Sequence, residues 1–298
     1  QPQEEEAPHT AGTAEERLLA FIGGKAESAL LMDAFNILLE EDIFRTNPQA
    51  LEKLNGWVKA KDASRQPAAM YAMGSLLLEK DDLSGAVKMT EEGLSKYPQS
   101  LPVQILSLNT ITVLLDKNRL QDAERLISKY PGSSPDLVFQ QGALAFLKKD
   151  YSLAQKLFRE AARRASETTA ENALFNENLA ALNANDASGA AALIKEAAGS
   201  SRLRESILFE QAHYAAKRMA PQAAELLANF ITLAETPALK TQARLDQVEV
   251  ALNLNPPDLE TVQAILPLLE KEQLSPEQTM QLARLNICLL YTSPSPRD

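Results

Sequence analysis

The chain has 298 residues, 30 basic against 40 acidic side chains, and a formal net charge of −10. A field of that sign repels phosphate backbones and anionic lipid, so nucleic acid is excluded as an expected partner. Aromatic content of 5% and 11 glycines, beside plentiful Ala, Leu, Glu, Gln and Lys, leave little material for strands and point to an all-α fold.

Taken in order, the segment Gln1 to Thr13 is rich in Pro, Glu and Ala and is expected not to order. It opens without Met, which fits either a mature end left by signal-peptide removal or a fragment boundary. A periplasmic or secreted setting is the expectation, with a cytoplasmic one as the alternative. Residues 14–66 are predicted to hold three helices, Ala14 to Ile22, Glu27 to Phe44 and Pro48 to Ala60, the last opened by Asn47 as N-cap and Pro48 in the first turn. From 67 to 286 the punctuation becomes regular. Prolines or polar caps open helices at Pro67, Pro102, Pro135, Thr168, Arg202 and Pro237, and a second helix follows each.

The spacing of small residues makes this an array. Gly74 to Gly142 and Ala86 to Ala154 share an offset of 68 residues, twice 34, and Ala190 and Ala224 continue the series at 36 and 34. A period of that length is one helix, turn, helix. The unit around Ala123 has a shortened second helix, closing at Lys129, Tyr130, Pro131, one 33-residue step after Lys96, Tyr97, Pro98.

Gly74, Ala86, Gly93 and Pro98 in one unit, and Gly142, Ala154, Phe158 and Ala161 in another, resemble the tetratricopeptide repeat family, with a bacterial character. The resemblance covers roughly Pro67 to Ala234. It implies an α-solenoid of stacked antiparallel hairpins, in which small residues let paired helices approach and first helices line a concave groove. The final stretch, 287–298, is expected to be a non-native or disordered tail, since its last eleven residues resemble translated sequencing-adaptor sequence.

Material for chemistry is thin, and no catalytic, cofactor or metal site is expected. The only cysteine, Cys288, allows no disulfide and no thiolate metal site. The histidines are His9, in the opening segment expected not to order, and His213, on a predicted helix and without an acidic or nucleophilic partner at a recognisable spacing. Gly23 and Gly24 lack the lysine of a phosphate loop, and the acidic groups Glu4 to Glu6, Glu40 to Asp42 and Asp81, Asp82 lack calcium-loop spacing. Apolar runs around Ala29 to Leu39 and Ile105 to Leu115 are interrupted by polar residues, so no direct membrane insertion is expected.

One apolar series stands out. Three residues before the small residue of each first helix come Tyr71, Leu108, Phe139, Phe175 and Phe209, four of them aromatic in a chain poor in aromatics. In proteins similar to this one that position faces the groove, and the next positions, Ser75, Ala143, Leu179 and His213, would complete the floor. The alternative reading is that the rings pack between adjacent hairpins. The groove lacks the Lys and Asn pattern with which some members of the family grip a C-terminal carboxylate. The expected function is a non-enzymatic scaffold for a protein or peptide segment. Two rivals stay open: an N-terminal adaptor array of a larger enzyme or envelope complex continuing past Asn286, or a self-associating structural module.

Overall fold

The computed structural model describes residues 12–24 and 28–292, and those residues form α-helices, one 3-10 turn and no strand. His9, Glu4 to Glu6 and 293–298 lie outside the described residues. The chain divides into two compact units, Gln1–Asp150 and Tyr151–Asp298.

The first unit holds α1 (Ala14–Gly23), α2 (Ser28–Glu40), α3 (Ile43–Thr46), α4 (Pro48–Lys59), α5 (Gln66–Glu79), α6 (Leu83–Lys96), α7 (Leu101–Asp116), α8 (Leu120–Lys129) and α9 (Pro135–Leu147). Thr13 and Glu16 close a capping box on α1, and Gly24 ends it by donating to the carbonyls of Ala20 and Phe21. Asn47 caps α4 by accepting from the N–H groups of Gln49 and Ala50, ahead of Pro48. The single helix expected over 27–44 is broken in two. Asp42 takes φ 56°, a left-handed conformation that Asp tolerates, and its carbonyl then accepts from Arg45 and Thr46 to open α3.

Within this unit α2, α5, α7 and α9 pack side by side in one layer, with α4, α6 and α8 against them. Phe35 anchors the N-terminal core, stacked on Phe44 at 6.2 Å and edge-on to Trp57 at 5.7 Å. The small residue at Gly74 admits the next hairpin: a Cβ there would stand 2.4 Å from Leu106 Cδ1 of α7. Gly93 does the same for Val103, at 3.1 Å. Between α6 and α7 the buried hydroxyls of Thr90 and Thr110 lie 3.0 Å apart.

The second unit holds α10 (Tyr151–Arg164), α11 (Glu167–Asn183), α12 (Ala187–Glu196), α13 (Ser201–Lys217), α14 (Ala223–Leu233), α15 (Pro237–Leu252), α16 (Leu259–Leu269) and α17 (Pro276–Thr292). Here α11, α13, α15 and α17 form one layer, and α10, α12, α14 and α16 pack against it. Helix α17 runs on through Ile287 to Thr292, into the stretch expected to be a separate tail, and Cys288 is exposed on it.

Two devices recur in both units. The six helices opened by the regular punctuation begin at Gln66, Leu101, Pro135, Glu167, Ser201 and Pro237, within one residue of the positions read from sequence. Five first helices end alike. A residue at positive φ (Asp81, Asn118, Lys149, Asn185, Met219) turns the chain. The next N–H then reaches back five residues, Asp82 to Leu77 at 2.9 Å, Arg119 to Leu114 at 2.7 Å, and Asp150 to Ala145, Asp186 to Ala181 and Ala220 to Ala215 each at 2.9 Å. Successive hairpins are also tied by side chains at one repeat length. Arg125 to Glu91 spans 34 residues, and Gln211 to Asn178, Arg218 to Asn185 and His213 to Asp246 each span 33.

Candidate interaction face

The helical period of nearly four brings Tyr71, Ser75, Leu78 and Glu79 onto one side of α5. Together with Asn36, Leu39 and Glu40 of α2 and Asn109 of α7 they line a depression of about 350 Å³ on the α2–α5–α7 layer. The structure therefore brings Tyr71 and Ser75 together on an open face. Leu108 and Ala143 are half-buried against the cluster around Ile111, Leu126 and Leu137, so they act partly as packing. Phe139 is half-buried on α9, one residue before Gln140, whose amide donates to Thr112 Oγ1 of α7 at 2.8 Å.

In the second unit the series behaves differently from position to position. Phe175 packs on Leu193, Ala197, Leu203 and Ile207, between α11 and the hairpins beside it. Leu179 is half-buried one turn further along α11. Phe209 is 8% exposed, its ring 5.5 Å from Phe230 and 5.4 Å from the imidazole of His213, on which it stacks at 21°. The aromatic series then ends. One repeat after Phe209 stands Gln242, which donates to Gln281 at 3.0 Å and to Asp246 at 3.2 Å.

The most developed polar cluster of this layer was not anticipated, because His213 does have an acidic partner at one repeat length. Asp246 of α15 is wholly buried, and its Oδ2 lies 2.5 Å from His213 Nδ1 of α13. Its Oδ1 receives Gln242 and lies 3.7 Å from Lys217, which pairs at 3.0 Å with Glu249. The hydrogen bond to Asp246 raises the His213 imidazole above its ordinary 6.5, with burial pulling the other way. Burial raises the carboxyl of Glu210, the neighbouring acid on α13. The signal in sequence was the 33-residue offset itself, which equals one hairpin.

A second buried acid closes the α10–α11–α12 packing. Arg159 donates from Nη2 to Glu177 Oε1 at 2.7 Å and from Nη1 to Glu196 at 2.5 Å, and burial raises the Glu177 carboxyl against the pull of Arg159. Both networks join helices and present no nucleophile beside a base. Among the described residues no group of three or more His, Cys, Asp or Glu is placed to hold a metal ion, and no helix is long and apolar enough to cross a membrane. No protein-family model matches the chain, and no curated protein matches it.

Proposed function

We propose that this chain is a non-enzymatic protein-interaction scaffold, a tetratricopeptide-like α-solenoid whose first helices offer a docking face to a peptide or helix. The observation that carries this reading is the recurrence, in each unit, of the same helix ending and of side-chain ties at a step of 33 or 34 residues. A hairpin of that length cannot bury its apolar surface alone, and arrays built this way hold one row of helices free for a partner. The depression holding Tyr71 and Ser75 supports it, since a half-buried ring beside small polar groups gives area at low entropic cost. The reading is tested by panning the full chain against a library of displayed random peptides and mapping the bound peptide by hydrogen exchange. Protection on α5 and α7, or on α11 and α13, supports it. Protection confined to α4, α6, α8, α12 and α14, or no enrichment at all, refutes it.

A further inference from the structure

We propose that the Tyr71 face of the first unit selects a basic segment, seating a lysine or arginine side chain over the Tyr71 ring between Glu40 and Glu79. This deepens the docking reading above and rests on it. The lining combines an aromatic and aliphatic part, Tyr71, Leu39 and Leu78, with the polar Asn36, Ser75 and Asn109 and with two carboxylates, Glu40 and Glu79.

The placement of those carboxylates decides the occupant. Glu40 is the last residue of α2, Glu79 of α5 and Asp116 of α7, so three neighbouring helices of one layer all end on an acid. A helix C-terminus already carries a partial negative charge, and a carboxylate there is unfavourable unless a cation answers it. None of the three helices has a basic residue in its last turn, but Lys80 and Lys117 follow at once as the C-caps of α5 and α7, whereas Glu40 of α2 is followed by Glu41 and Asp42. The opposing layer follows the usual rule, with Lys59, Lys96 and Lys129 in the last turns of α4, α6 and α8. Glu79 is answered within the chain by Arg45. Glu40 and Asp116 are exposed and form no ion pair among the described residues. A cation from a partner meets the uncompensated field at Glu40, and the face of Tyr71 beside it favours the same charge. The aliphatic stem of lysine or arginine fits Leu39 and Leu78. A net charge of −10 draws such a segment from a distance.

The test uses the full chain and the displayed random dodecapeptide library, with the binders then synthesised and their affinities measured at low and high salt. Peptides that lose binding to Tyr71→Ala should be enriched in Lys and Arg. Glu40→Gln should weaken them about threefold to fivefold and flatten their salt dependence, while Glu52→Gln on the opposing layer leaves both unchanged. Tyr71-dependent peptides that are neutral or acidic, or that bind Glu40→Gln as tightly as the parent, overturn the inference and leave the docking face standing. The absence of any Tyr71-dependent peptide overturns the inference together with the use of this face for docking.

Discussion

Replacing Asp246 by Asn keeps the shape of a wholly buried side chain and removes its charge. A hydrogen bond to a charged group contributes about 1.5–3 kcal/mol and a neutral one about 1, so the contact with His213 loses about 0.5–2 kcal/mol. Lys217 lies 3.7 Å away with nearly half its side chain exposed, and contributes at most about 1 kcal/mol. The amide is easier to bury than the carboxylate, which returns part of the loss. A net destabilisation of about 0.5–2 kcal/mol lowers the melting temperature of a body of this size by about 1–8 °C. The variant also changes the response to pH. His213 has a raised folded value, so its contribution is complete below the ordinary 6.5 and is lost as pH rises through the folded value. Thermal melts at a series of pH values from 6 to 9, with hydrogen exchange read on α13 and α15, give the comparison. The parent should lose local protection over that interval, and Asp246→Asn should lose little. Parallel pH profiles for the two proteins refute the assignment of the pair.

Other expectations follow from single sites. Met219 turns the end of α13 at φ 51°, a conformation that costs a side chain roughly 1 kcal/mol, so Met219→Gly should raise stability by about 0.5–1 kcal/mol in urea titration; a loss would mean that its side chain packs usefully. Leu106 is fully buried and occupies the space over Gly74, so Gly74→Leu should cost about 1–3 kcal/mol, and unchanged melting would show that α5 and α7 part easily. Asp186 caps α12 by accepting from Gly189 N–H at 2.9 Å and also receives Gln155 at 2.9 Å. Asp186→Ala should therefore cost about 1–2 kcal/mol in the same titration, while Asp186→Asn keeps most of the cap.

Helix starts were legible because their causes are local. A proline fixes φ for the first turn and a Ser, Thr or Asn cap satisfies free N–H groups, and both act within four residues. The same locality made the repeat visible, since each hairpin must turn at a similar distance. The break at Asp42 was less legible, because only Glu41 and the left-handed Asp42 separate α2 from α3. Side-chain partners were the least legible. Whether a ring three residues before a small residue faces outward or packs against the next hairpin depends on what that hairpin presents. Phe175 meets Leu193 and Ile207, whereas Tyr71 meets the open depression beside Leu39 and Leu78. Asp246 was missed for a related reason. An acid on α15 carries no local signal of its own, and the meaning of Asp246 comes from His213 one repeat earlier.

The central claim is that the first-helix layer is the docking face, and photocrosslinking addresses it directly. A benzophenone side chain placed at Ser75, on the α5 side of the depression, should give an adduct with a selected peptide. The same group at Lys88, exposed on α6 of the opposing layer, should give none. Adducts at Lys88 and none at Ser75 would contradict the account.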